Sequence, residues 1–136
     1  NYTLAAARAV ALGDDDLAEW SLGLATQTWD RFDARFRELW PTRLDLRVFT
    51  DDFRDDLLAR WRSETWLFAA AKMARRIVGL AKVKDIETLD EDVREGAARG
   101  ILAVARQAVR SRHDDSSPEA FTQMALTLLR ANATRG

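Results

Sequence analysis

The chain has 136 residues, 47% of them hydrophobic and 32% charged, with no cysteine and a formal net charge of −1. That balance excludes a disordered chain, and the missing cysteines exclude a disulfide framework, a thiolate nucleophile and a cysteine-based zinc site. No apolar run approaches the roughly 20 residues of a bilayer span and no signal-peptide pattern is present, so a cytoplasmic protein with no membrane role is expected.

The near-neutral total hides an asymmetry. Residues 1–59 hold 12 acids and 7 bases, whereas residues 60–112 hold 7 acids and 12 bases. An anionic ligand is attracted to that middle stretch. The excess is too small and too mixed with acids for nucleic acid, which calls for a denser basic face.

In chain order, every segment has the pattern of a helix, and none shows sustained period-2 alternation. The fold class expected is all-α, a helical bundle forming one domain over residues 1–136. "NYTLAAARAV" opens without an initiator Met and in mid-pattern, so a fragment or a processed product is expected. Its helix covers about residues 2–11 and ends at Gly13. Asp14, Asp15 and Asp16 then offer an N-cap and first-turn acids to a helix over 17–40. Trp20, Leu24, Trp29, Phe32, Phe36 and Leu39 form its apolar face, and Pro41 stops it. Thr50 caps the next helix, which at Ser63-Glu64-Thr65 either continues or is re-capped. Residues 83–92 are expected to be a connection. A helix over 93–112 starts at Asp90 or Asp92. In the final part, 113–136, a loop gives way to a helix with Ser117 at the N-cap and Pro118 at its first position.

"KMARRIVGLAK" at 72–82 stands out, because its bases lie in a stretch that is otherwise apolar. From Trp66 to Ala81 the apolar residues surround the axis, which predicts a central, buried helix. With Lys72 at 0° and about 100° per residue, Arg75 falls near −60°, Arg76 near +40°, Gly79 near −20° and Lys82 near −80°. The bases therefore share a stripe with a glycine in its middle, and a mid-helix glycine permits close approach of a ligand or backbone. One reading is a cationic strip lining a cleft and holding phosphate or a sugar phosphate, since the guanidinium fork binds phosphate oxygens bidentately. The other is that Glu64, or the acids of 51–56, neutralise the stripe at the protein's surface. Elsewhere, His113 reads as part of a solvated turn. Asp51, Asp52, Asp55 and Asp56 read as dipole-complementing surface at a helix start, and the tryptophans and phenylalanines as core anchors. No Gly-rich phosphate loop, metal pair or catalytic triad is present.

"AAAKMARRIVGLAKVKDIETL" (69–89) resembles a signature of the methylthioribose kinases, G-F-A-G-x-K-M-x-R-R-x-x-G-L-A-H-V-x-D-x-E. "WDRFDARFRELW" (29–40), "VREGAARGILAVARQAV" (93–109) and "NYTLAAARAVALG" resemble flanking segments of that family more loosely. The resemblance implies a protein-kinase-like fold, of which this chain is the helical C-terminal part of the C-lobe. It also implies a parent enzyme that phosphorylates the 1-hydroxyl of 5-methylthioribose with ATP and magnesium, in methionine salvage. The matching twin arginines, Arg75 and Arg76, would face the substrate and the transferred phosphate, with Lys72 and Gly79 in support. Three positions depart from the signature. Leu67 and Ala70 stand where the family favours glycine, and Lys82 replaces its histidine. The Gly-rich loop, nucleotide-anchoring lysine, catalytic aspartate and metal-holding acids do not occur in these residues. The catalytic and metal positions are therefore none in this chain, and alone it is expected to bind no ATP-magnesium and to be inactive. Its partners would be the remainder of the kinase (N-lobe and catalytic loop) and a small-molecule sugar substrate. Two alternatives stand beside this reading. One is a free-standing helical module that pairs with a partner or, as a homodimer, with itself. The other is a related phosphotransferase with a different substrate.

Overall fold

The computed structural model describes residues 1–80 and 82–133. Every regular element among them is helical: α1 (Tyr2–Ala11), α2 (Asp15–Leu39), α3 (Asp51–Val78), α4 (Lys84–Glu87), α5 (Glu91–Ser111) and α6 (Pro118–Ala133), with a 3-10 turn at Trp40–Thr42. The all-α expectation holds, and no helix among the described residues is long and apolar enough to cross a membrane.

Asp14, Thr50 and Ser117 form the capping hydrogen bonds read from the sequence, whereas Asp90 takes the N-cap of α5 without one. Gly13 takes φ +77°, and the Gly13 and Asp14 amides donate to the Val10 and Ala9 carbonyls at 3.1 and 2.9 Å. That is a Schellman ending, in which a glycine supplies the left-handed residue at no steric cost. The Asp14 carboxylate accepts from the Leu17 amide at 3.0 Å. The hydroxyls of Thr50 and Ser117 accept from Phe53 and Ala120, both at 3.2 Å. Helix α3 runs unbroken through Ser63-Glu64-Thr65 for 28 residues, which settles the alternative left open at that point. The connection after Lys82 contains the single-turn helix α4, whose Ile86, with Leu89 just beyond it, is buried.

The central helix is not the one expected. Helix α1 is central: Leu4, Ala6, Ala7 and Ala9 are buried, and it packs against α2, α4, α5 and α6. Helix α3 buries only Leu58, Trp66, Ala70 and Met73. Phe68 and Val78 on its other side are 70% and 74% exposed. The apolar ring read around residues 66–81 is therefore two faces, of which one packs on α5 and the other is open. Helix α2 departs in a similar way. It buries Ala18, Ser21 and Leu22, while Trp20 stays 61% exposed. Small residues at 18 and 21 let α2 approach α1 closely, and a tryptophan at that seam would hold the two apart.

Close approach also governs α5 against α6. A Cβ on Gly96 would lie 2.7 Å from the Asn132 carbonyl oxygen, and one on Gly100 would lie 3.2 Å from Leu129 Cδ2. Both glycines are buried on the seam, where backbone contact replaces side chains.

The far halves of α2 and α3 form an arm held by rings. Phe36 and Trp61 meet edge-on at 5.3 Å between centroids, Phe36 and Trp40 lie 5.3 Å apart, and Phe53 stacks on Trp40 at 6.4 Å. Outside the rings, Arg37 bridges Asp33 at 2.7 Å and Asp55 at 2.6 Å. Arg54 reaches Asp55 at 3.0 Å and Asp51 at 3.4 Å, and Arg43 holds Asp51 at 3.3 Å. Asp51 and Asp55 are thus spent on arginines of the arm, not on the basic stripe.

Gly96→Ala should destabilise the chain by about 1–3 kcal/mol despite the better helix propensity of alanine, because the new methyl meets backbone. Gly23→Ala, where a Cβ meets nothing within 4 Å, should raise stability by roughly 0.5–1 kcal/mol. Thermal melts of both variants check the pair; equal effects would remove the α5–α6 seam as the cause.

The Arg54 and Arg37 guanidinium groups hold the Asp55 carboxyl at about 2. A folded value below the ordinary one means that this stabilisation is complete above about 4 and is lost as pH falls through about 2. An NMR titration of the Asp55 carboxyl should show a midpoint near 2, rising toward 3.8 in an Arg37→Gln/Arg54→Gln variant. An ordinary midpoint in the wild type would mean that these pairs do not persist in solution.

Candidate functional site

The stripe read from the sequence lies on the last turns of α3 and is shorter than expected. The helix ends at Val78, and Gly79 is its C-cap with φ −87° and ψ 177°. Lys82 therefore leaves the wheel, and Gly79 is not a mid-helix gap for a ligand. A Cβ there would run into the carbonyl oxygen of Arg75, so the glycine is needed for the way the chain leaves the helix. Lys82 turns back instead. Its Nζ donates to the Ile77 carbonyl at 2.7 Å and lies 3.8 Å from Glu87 Oε1. A cation on orphan carbonyls at a helix C-terminus is favourable on both hydrogen-bond and dipole grounds. Ala81, at the end of the expected helix, lies outside the described residues.

Lys72 and Arg76, one turn apart, face the start of α1. Lys72, Asp85 and Arg76 all lie close enough to Asn1 to interact with it electrostatically. Residues 1, 72, 76 and 85 thus share one neighbourhood. Arg8 ties that corner together, its Nη1 donating to Thr88 Oγ1 at 2.7 Å and to the Asp85 carbonyl at 3.3 Å. Arg76 is half-buried there.

Arg75 projects the other way. It is exposed and has no ion pair among the described residues. Its helical neighbours on that face are Ala71 one turn before it, Val78 one turn after and Phe68 two turns before. Leu67, also exposed at 42%, extends the face, and Leu80 is fully exposed just past the helix end. The two arginines therefore do not act as one fork: the helix aims Arg76 at α1 and Arg75 at an apolar surface. Glu64, one candidate for neutralising the stripe, is exposed on the same helix about three turns before Arg75.

The remaining candidates stay ordinary. His113 is exposed, and its Nδ1 lies 3.4 Å from Ser63 Oγ. Among the described residues, no three or more acids or histidines are grouped as a metal would require. What the sequence did not reveal is a cavity of about 580 Å³ where α2 and α3 part, walled by rings from four helices. Its rings carry the same helical spacing as core anchors, so periodicity alone gave no signal.

No family model and no solved structure matches the chain. Curated proteins do match. The methylthioribose kinase of Escherichia coli O45:K1 (strain S88 / ExPEC) is 28% identical over 106 residues, covering 69% of this chain and 25% of that protein. That of Geobacillus thermodenitrificans (strain NG80-2) is 30% identical over 100 residues, covering 72% and 25%. That of Geobacillus sp. (strain WCH70) is 31% identical over 108 residues, covering 77% and 27%. This chain is a homologue of the methylthioribose kinases and spans about a quarter of the length of the curated relatives it matches.

Proposed function

We propose that the chain is the helical C-terminal part of the C-lobe of an ATP-dependent sugar kinase that phosphorylates 5-methylthioribose at the 1-hydroxyl. The observation that carries this reading is the Lys-Met-x-Arg-Arg run at 72–76, present in a chain whose curated relatives bear the name methylthioribose kinase. Its chemical support is Arg75, an exposed guanidinium with no ion pair among the described residues, on a face of low polarity. A group placed so can hold a sugar substrate and stabilise charge on the moving phosphoryl group. Arg76 and Lys72 set the positive potential beside it. The rest of the kinase supplies the ATP and magnesium sites and the catalytic loop, and this chain by itself transfers no phosphate.

A second reading, a helical module that docks on a partner, is favoured by the exposed apolar face around Phe68, Val78 and Leu80. The two readings part on the residues encoded upstream of Asn1. A catalytic H-x-D loop and a D-x-E metal site there belong to the kinase.

In the full-length protein, Arg75→Ala/Arg76→Ala should lower ATP-dependent phosphorylation of 5-methylthioribose at least about 100-fold, or roughly 2.7 kcal/mol, while the fold is kept by circular dichroism. Turnover untouched by the double substitution would return both arginines to a structural role. No turnover in a wild type with an intact catalytic loop would remove 5-methylthioribose as the substrate.

A further inference from the structure

The fork between α2 and α3 is a feature that the kinase reading leaves unused. Its floor is the buried pair Trp66 and Phe121, edge-on at 5.3 Å. Its outer wall is Trp29, Phe32 and Trp61, with Phe32 lying 5.5 Å from Trp29 and 6.0 Å from Trp61. A cavity of about 580 Å³ between two ring clusters is in the size range of small-molecule sites, and the facing π surfaces favour a flat apolar body.

The polar groups on the lining narrow the chemistry. The Thr28 and Thr65 hydroxyls each donate to a carbonyl of their own helix at 2.7 Å. Because the Thr28 proton is spent, the Tyr2 hydroxyl at 3.3 Å is the donor to Thr28 Oγ1. Those three hydroxyls therefore have no proton left for a ligand. Arg62 is the single charged side chain on the lining, with no carboxylate opposite it. Its Nε donates to Ser116 Oγ at 3.2 Å, which orients the guanidinium. Asp115, which feels the Arg62 charge, is not part of the lining. An aromatic box alone would suit a cation, but a lining that holds a guanidinium and no acid suits an anion.

We infer that this fork is a binding site for a small planar amphipathic anion, a fused or paired ring system bearing one carboxylate or sulfonate-like group that meets Arg62. The inference is independent of the kinase reading, since it uses neither Arg75 nor Arg76 and is not a phosphoryl-transfer site.

Two dyes of matched shape test it: 1-anilinonaphthalene-8-sulfonate and its uncharged counterpart N-phenyl-1-naphthylamine. Each is titrated into this chain and into the longer protein by fluorescence and calorimetry. The sulfonate should bind both at one saturable site. Arg62→Met, which keeps the aliphatic stem, should weaken the sulfonate about tenfold and the neutral dye by less than about twofold. Thr65→Trp, at an exposed lining position, should fill the fork and abolish both while far-UV circular dichroism stays unchanged. Weak multi-site binding indifferent to Thr65→Trp, or equal loss of both dyes in Arg62→Met, would overturn the inference. So would a dimer, seen by sedimentation, that excludes the dye: the occupant would then be a second copy. Binding to this chain but not to the longer protein would overturn it as well, and would assign the fork to neighbouring polypeptide.

Discussion

Everything in this fold follows from how near two helices can come when the side chains between them are small. Gly96 and Gly100 put the backbone of α5 almost against α6, and Ala6, Ala7 and Ala9 are the small residues that α1 buries at the centre. Burial of such residues gains little transfer free energy per side chain, because alanine and glycine have little apolar area to remove from water. The gain comes instead from the density of contact and from the larger neighbours it brings in. Leu22, Ile101 and Val104 are fully enclosed around these seams, each worth about 1.5–3 kcal/mol relative to exposure. Adding one methyl at such a seam moves a helix, whereas adding one on the open flank of α2 moves nothing.

The opposite constraint rules the arm. Between α2 and α3, no small residues meet; rings do, with centroids 5–6.5 Å apart. Rings take more room between helices than the glycines that set α5 against α6. A bundle that is narrow at one end and ring-spaced at the other must open where the regimes meet, and that is where the cavity lies. The fork is thus a geometric consequence of residue size along α2 and α3. The same rings that keep the helices apart become its wall.

These size rules explain what could be read from the sequence. Helix ends were legible because each rests on one residue doing local work: Gly13, Asp14, Thr50, Ser117. The positions of Arg75 and Arg76 on α3 were legible for the same reason. Which helix is central was not. Trp66, Phe68, Met73, Ile77, Val78 and Leu80 look more buried than the alanines of α1 on any hydrophobicity count, yet α1 occupies the centre, with Ala6, Ala7 and Ala9 buried beside Leu4. Burial follows the space available as much as apolarity. The wheel through Lys82 failed for a different cause. Gly79, with Arg75 and Arg76 in the turn before it, carries the marks of a helix end, but the basic stripe continues in register to Lys82 and masks it.

The placement of Arg75 has a consequence of its own. A surface guanidinium is normally surrounded by water and by neighbouring carboxylates, and its field is screened within about 8–10 Å. Here the turns before and after it carry Phe68, Ala71 and Val78, and Asp51 and Asp55 of the arm are occupied by Arg37, Arg43 and Arg54. Any body laid on this face displaces water from around the charge and lowers the local dielectric, so the same cation attracts an anion several-fold more strongly than in open solvent. That covering body must also bring the anion, because a guanidinium desolvated without a partner costs more than the apolar contact returns. An exposed hydrophobic face with one arginine that has no ion pair among the described residues therefore selects what covers it: a surface that is apolar around the arginine and presents negative charge at that one point. A surface that presents a phosphate or carboxylate at that point meets the requirement, and a purely apolar partner does not.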